Sequence, residues 1–236
     1  MCAESLRELH EFLCPGNPGR HKKFTSFPGK ALAPASFSEK NYPVVYEYAK
    51  FFKVFLRAPA LTSAIMPSSP WLAKRMVTGI GLDQAKVVVE IGPGTGAFTR
   101  AIQKQIPASA FFMAVEIDSH FAAHVRDEFS QVQVVNDSAE RLPEHLQKFG
   151  HVSTDCILSG LPWAGFKDEE QRRLLGAMVR ALRPGGFMTT YAFNHTAWLP
   201  AGRRFRRLLE ASFSEVTKTR TEWRNFPPAF VYRCRK

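Results

Sequence analysis

A charge-poor, β-branched run at residues 86–91 leads directly into Glu90-Ile91-Gly92-Pro93-Gly94-Thr95-Gly96, and a helical pattern starts at residue 97. A strand that ends in alternating glycines and turns at once into a helix is compatible with few folds. Glycine lets the backbone turn sharply and approach a ligand that side chains would exclude. In an open α/β sheet such a turn lies beyond the carboxyl ends of the strands, near the point where strand order reverses. The glycines of this chain alternate, which is not the G-x-G-x-x-G spacing of a dinucleotide fingerprint. The plain alternative is a glycine-rich turn that only joins strand to helix.

The rest of the chain extends the pattern. Helical segments are expected at 97–105, 119–129, 168–182 and 202–212, and strands at 110–117, 132–135, 155–159 and 187–193. Pro184-Gly185-Gly186 should terminate the third of these helices. Strand-like runs near 216–223 and 229–235 close the chain. Alternation of this kind predicts a mostly parallel sheet wrapped on both faces, with an antiparallel edge from the final pair. Upstream, Ser69 is a good N-cap and Pro70 suits the first helical position of a short helix reaching Val77. Residues 1–43 are broken by prolines and glycines and read as an irregular leader. Residues 44–80 read as N-terminal helices, and 81–236 as the main domain.

Charge narrows the partners. Lys and Arg number 32 against 21 Asp and Glu, a net charge of +11, which favours nucleic acid or an anionic membrane surface. Cys2, Cys14, Cys156 and Cys234 are scattered without a C-x-x-C pair, giving neither a zinc site nor a disulfide framework. No metal is expected. The N-terminus lacks the apolar core of a secretory signal, and 51–66 is interrupted by Lys53, Arg57 and Pro59, so it should not span a bilayer. Within 44–57, however, Tyr48, Phe51, Phe52, Phe55 and Leu56 recur at helical spacing, with Lys50, Lys53 and Arg57 largely on another face. Such a helix either covers the sheet or lies in the interface of an anionic bilayer.

Acids recur at the strand ends. The second strand ends in Val115-Glu116-Ile117-Asp118, where a carboxylate can accept both hydroxyl hydrogen bonds of a ribose. Asp118 could equally cap the next helix. Asp137-Ser138 follows the third strand. The glycine spacing, with an acid before the first glycine, resembles the class I methyltransferases, a Rossmann-like α/β fold with a seven-stranded sheet. That resemblance implies S-adenosyl-L-methionine as cofactor, with Glu116 on the ribose and Asp137 near the adenine ring. Glu90 would orient the loop or meet the methionine ammonium. Gly92, Pro93, Gly94, Thr95, Gly96, Ile117, Ser138, Ser159 and Gly160 would complete the cradle.

The fourth strand ends in Ser159-Gly160-Leu161-Pro162-Trp163. In amino methyltransferases the loop here lies beside the reactive methyl. The rRNA adenine dimethyltransferases share the Glu-Ile-Asp strand end but carry an asparagine where this chain has Gly160. Similarity is greater to the bacterial phospholipid N-methyltransferases, through the aromatic–basic helix at 51–57, Pro67-Ser68-Ser69, the 89–96 loop, Ser159-Gly160-Leu161-Pro162 and the closing Trp223-Arg224-Asn225-Phe226-Pro227-Pro228-Ala229. This resemblance implies N-methylation of phosphatidylethanolamine and its methylated products by a cytoplasmic protein peripheral on the inner face of the membrane. An rRNA adenine or small-molecule amine acceptor is the alternative, and a cofactor-binding regulator without turnover is a third.

Candidate acceptor-side residues are Tyr46, Gly160, Leu161, Pro162, Trp163, His195 and Arg224. Tyr46, Tyr48, Trp163 and Tyr191 could face a quaternising amine through cation–π attraction, or simply belong to the core. His195 could act as a base or bind phosphate, or be a loop histidine without a role. Arg224 and the run Arg203-Arg204-Phe205-Arg206-Arg207 could meet lipid phosphates, or the run could be a solvated helix face. His120 and His124 read as a solvated helix face rather than metal ligands.

Overall fold

The computed structural model describes residues 68–236. The leader, the aromatic–basic helix and Tyr46 and Tyr48 lie outside the described residues. Helix α1 (Pro70–Val77) opens where expected: Ser69 adopts an extended backbone and its hydroxyl accepts the Leu72 N–H at 3.2 Å. Pro70 occupies the first turn, where its missing donor costs nothing. Lys74 and Arg75 in the last turn complement the helix dipole.

Strands β1 (Val87–Ile91), β2 (Phe111–Glu116), β3 (Gln133–Asn136), β4 (Thr154–Ser159), β5 (Leu182–Phe193), β6 (Glu215–Lys218) and β7 (Ala229–Arg235) form one sheet in the order β3-β2-β1-β4-β5-β7-β6. β1 through β5 run parallel, whereas β7 is antiparallel to both β5 and β6. The closing pair forms the expected antiparallel edge, with the last strand inserted between β5 and β6. The strand expected over 216–223 pairs only as far as Lys218, with an isolated bridge from Glu222 to Ala229. Pro227 and Pro228 have no N–H to extend the ladder.

β1 sits centrally and is buried along its whole length, which explains an unbroken apolar run rather than an alternating one. Its side chains divide by parity. Val87, Val89 and Ile91 join a core beneath α4 (Leu142–Lys148), α5 (Asp168–Ala181) and α7 (Pro200–Ser212); Val88 joins the opposite core beneath α1, α2 (Ala97–Gln103) and α3 (Ser119–Glu128). A short helix, α6 (Asn194–Ala197), links β5 to α7. The fold is an α/β Rossmann-like sheet, mostly parallel, with an antiparallel β5-β7-β6 edge.

Beyond shifts of a residue or two at element ends, a boundary and a helix differ from expectation. β5 begins at Leu182, ahead of Pro184-Gly185-Gly186, with an irregular register against Thr154 and Cys156. Helix α4 was not expected, because Pro143 reads as a breaker; it stands in the first turn, where proline is tolerated, and Leu142, His145 and Leu146 form the buried stripe.

Candidate active site

Parallel register brings successive strand ends to one edge: Ile91 pairs with Val115 and Ser159, Glu116 with Asn136, and Ser159 with Thr190. Chain order reverses between β1 and β4, so this edge holds the crevice where α/β sheets bind ligands.

The loop after β1 is held from both sides. Gly92 N–H donates to Val115 O at 2.9 Å, and Gly94 N–H donates to Glu116 Oε2 at 3.2 Å. Gly92, Gly94 and Gly96 all have positive φ, a region side-chain-bearing residues rarely enter. Gly96 has a second constraint, since a Cβ there would lie 2.4 Å from the Phe129 ring. Pro93 is buried, while Thr95 is exposed.

Glu90 is wholly buried. Thr99 Oγ1 donates to its Oε2 at 2.7 Å, and Oε1 has no hydrogen-bond partner. Burial pushes its pKa up to about 8, the Thr99 hydroxyl opposes this, and the Glu116 charge adds to it. Glu116 is also buried, and burial likewise raises its pKa. Its oxygens accept the N–H groups of Gly94 and of Asp118, the latter at 3.0 Å, and each still has a lone pair to offer. Asp118 is itself a helix cap, accepting from His120 and Phe121 N–H at 2.8 and 3.1 Å.

Beyond β3, Asp137 Oδ1 accepts the Ser138 N–H at 2.7 Å. Its Oδ2 lies 2.9 Å from His145 Nε2 and 3.0 Å from Arg141 Nη1. Burial lowers the His145 pKa, while the Asp137 charge opposes that shift. His145 belongs to α4 and was missed by sequence reasoning; the available signal was the 142, 145, 146 stripe. Ile117 is half-buried beside Glu116, and Ser138 is buried and caps the following turn through Glu140 N–H.

The loop after β4 interlocks with the loop after β1. Gly160 N–H donates to Ile91 O at 2.8 Å. A Cβ on Gly160 would stand 2.5 Å from the Gly92 carbonyl oxygen, and one on Gly92 would stand 3.2 Å from Leu161 Cδ2. Leu161 and Pro162 are half-buried at this junction. Trp163 is buried, its indole N–H shared between Ser159 Oγ (3.2 Å) and Thr190 Oγ1 (3.0 Å), with its ring stacked on Phe205 at 4.3 Å. Tyr191 makes edge contacts with Phe98 and Phe193, and burial pushes its phenol up to about 12.

His195 is exposed on α6, its ring stacked with Phe193. The 219–228 loop packs beside it: Asn194 N–H donates to Pro228 O at 2.9 Å, and Thr221 Oγ1 lies 3.1 Å from Asn194 Oδ1. In that loop Arg224 Nε donates to Glu222 Oε1 at 2.9 Å, and its guanidinium lies 4.9 Å from the centre of the Trp71 ring. The Arg224 and Arg75 hydrogen bonds hold the Glu222 carboxyl down to about 2. Within the 203–207 run, Arg203, Arg206 and Arg207 are exposed and Phe205 is buried; Arg204 turns inward to Asp168 and Gln171. His120 is exposed, and His124 Nε2 lies 3.1 Å from Glu128 Oε2. Among the described residues, no three His, Cys, Asp or Glu side chains group to hold a metal.

A glycine cradle beside two buried carboxylates, one with an unpartnered oxygen, fits a ligand that carries both hydroxyls and positive charge. With this strand order it defines a class I S-adenosylmethionine-dependent methyltransferase. Comparison with known proteins agrees. A family model described as "Methyltransferase domain" matches residues 88–186. An ornithine lipid N-methyltransferase from Singulisphaera acidiphila is 33% identical over 192 residues, covering 80% of this chain and 96% of that one. A ribosomal RNA small subunit methyltransferase A from Chlorobaculum tepidum is 33% identical over only 94 residues, 39% of this chain and 32% of its own length. Among solved structures, an O-methyltransferase from Bacillus cereus in complex with SAH superposes with a TM-score of 0.58 at 15% identity, covering 84% and 94% of the two chains. A putative O-methyltransferase from Klebsiella pneumoniae gives 0.56 at 17%, covering 84% and 92%. The chain belongs to the class I S-adenosylmethionine-dependent methyltransferases and is related there to lipid and rRNA-adenine methyltransferases.

Proposed function

We propose that this enzyme transfers methyl groups to the amine of a membrane aminolipid, phosphatidylethanolamine and its methylated products, at an anionic membrane surface on the cytoplasmic side. The observation that carries this reading is the packing of Gly160. An adenine methyltransferase needs a side-chain amide there, and here even a Cβ would stand 2.5 Å from the Gly92 carbonyl. The alternative acceptor, an adenine in RNA, is thus disfavoured by packing as well as by residue identity. The lipid reading is further supported by the extent of similarity to the Singulisphaera enzyme, whose name also favours a second acceptor, an ornithine lipid.

The cofactor, when bound, supplies a methyl group on a positively charged sulfur. Glu116 would accept the ribose hydroxyls, and Asp137, oriented by His145 and Arg141, would accept from the adenine amine. The unpartnered Glu90 oxygen would hold the methionine ammonium. Ser159, Gly160, Leu161 and Pro162 fix where the acceptor nitrogen sits, so catalysis rests on in-line positioning of an unprotonated amine. His195 stands on the rim as the group that receives the amine's proton. Trp198, Trp223 and Phe226 are 77, 73 and 72% exposed. They lie on segments following β5 and preceding β7, at the site edge, where amphipathic rings suit a bilayer interface. Exposed Arg203, Arg207 and Arg220 add attraction to anionic lipid. No helix among the described residues is long and apolar enough to cross a membrane.

The test is label transfer from methyl-labelled cofactor by the full chain, offered vesicles of phosphatidylethanolamine, vesicles of ornithine lipid, or rRNA. Methylated phosphatidylethanolamine is the expected product. Label confined to ornithine lipid would install the second reading, and label confined to RNA would overturn both.

A further inference from the structure

Beside the β4 loop, a cavity with about 690 Å³ of empty space, open solvent at its mouth included, opens between the end of β5, α6 and the start of α7. Leu161, Pro162, Phe193, Ala197, Leu199 and Phe205 form most of its apolar wall. We infer that this cavity is the seat of a hydrocarbon chain of the methyl acceptor. The inference rests on the aminolipid reading above and extends it from the headgroup to the tail.

Three observations support it. First, some of the wall's polar groups are already engaged within the fold. Thr196 Oγ1 donates to Phe193 O at 3.1 Å, and the Trp163 indole N–H is shared by Ser159 and Thr190. What remains is two tyrosine hydroxyls, on Tyr191 and Tyr232, and the His195 imidazole. A peptide or a nucleobase brings obligatory donors and acceptors that this lining would leave largely unmatched. A hydrocarbon chain brings none, and gains from every apolar contact.

Second, the cavity abuts the cofactor loop through Leu161. Leu161 and Pro162 line it, and the same Leu161 side chain stands against Gly92 of the cofactor loop. A molecule whose amine reaches that junction would have its tail within reach of the wall.

Third, the far end of the cavity meets an exposed apolar surface. Leu199 lines the cavity and is 48% exposed, and its neighbour Trp198 is among the most exposed aromatics described. The start of α7 follows at once, with Arg203 and Arg207 on its exposed face. An apolar channel that ends among tryptophan and arginine suits a chain entering from a bilayer. It does not suit a small soluble amine, which would leave the channel empty.

The experiment uses the full chain carrying W71F, W198F and W223F, so that Trp163 on the cavity wall is the sole tryptophan. Lysophosphatidylethanolamine with a brominated chain, kept below its micelle concentration, is the probe. Quenching of Trp163 is expected, and Ala197→Phe, which fills the cavity, should abolish it; Ala164→Phe, also on the lining, does the same should the first variant fail to fold. Quenching that is absent, or unaffected by either filling variant, overturns the inference. In parallel, the ratio of kcat/KM for long-chain over short-chain phosphatidylethanolamine should fall at least tenfold in the filled variants. Methylation that ignores chain length, together with no quenching, would sink the tail site and leave the aminolipid reading standing. Specific quenching without methylation of any lipid would do the reverse.

Discussion

Replacing Glu90 with glutamine tests the electrostatics of the cradle directly. The carboxyl is wholly buried, with one oxygen satisfied by Thr99 and the other unpartnered, and its pKa is pushed from 4.5 to about 8. A carboxyl whose folded pKa is raised contributes stability that is fully present below its unfolded pKa and lost as pH rises through its folded one. The shift corresponds to about 5 kcal/mol between the fully protonated and fully ionised limits. Integrated over the range from about pH 5 to about pH 8.5, roughly 4 kcal/mol of that is lost by the wild type. Glutamine keeps the shape and cannot ionise. Urea unfolding of both proteins without cofactor, at several pH values, should therefore show E90Q gaining on the wild type by about 4 kcal/mol across that range. Saturating cofactor should shrink the gap, because an ammonium beside Glu90 compensates its charge, and E90Q should bind cofactor more weakly above neutral pH. Stability curves that stay parallel would refute the argument.

Other perturbations probe the remaining parts. Gly160→Ala forces a Cβ against the Gly92 carbonyl, a misfit worth about 1–3 kcal/mol; cofactor affinity and kcat should both fall about tenfold, and an unchanged enzyme would contradict the interlock of the two loops. Glu116→Ala and Asp137→Ala should each weaken cofactor binding in calorimetry while leaving vesicle binding intact, and equal loss of both properties would contradict the assignment. His145→Ala removes a hydrogen bond to a carboxylate worth about 1–2 kcal/mol, so cofactor Kd should rise about tenfold with little change in acceptor KM. Charge reversal at Arg203 and Arg207 should reduce flotation with anionic vesicles and leave cofactor binding alone; unchanged flotation would remove these arginines from the membrane face.

Much of the fold was legible because it is written in local signals. Four β-branched residues among the five before Gly92, a cap at Ser69 and acids at three strand ends each have a physical meaning that survives without coordinates. Pairing order is different. The insertion of β7 between β5 and β6 shows in burial rather than in spacing: residues 229–232 are all buried, whereas β6 is largely exposed. Helix α4 escaped because Pro143 weighs against a helix unless its place in the first turn is known, and with α4 went His145. At the site, residue types at strand ends were readable, but partners were not. Trp163 could be proposed to face a cation; only packing reveals that its N–H is shared by two hydroxyls and its ring lies on Phe205. Arg224 likewise met Glu222 and Trp71, neither of which its own motif announces as a partner.

The close approach of Gly160 to Gly92 has a consequence for how such an enzyme can diversify. The two loops leave no slack between them, so a side chain added on one displaces the other, and acceptor range cannot be retuned there without disturbing cofactor binding. In the turn from α6 into α7 the close approach is at Gly202, where a Cβ would stand 2.3 Å from the Thr196 carbonyl oxygen, and it does not involve the cofactor loop. New acceptors are most cheaply accommodated by substitutions around Ala197 and Leu199, with the methyl-donating half left untouched.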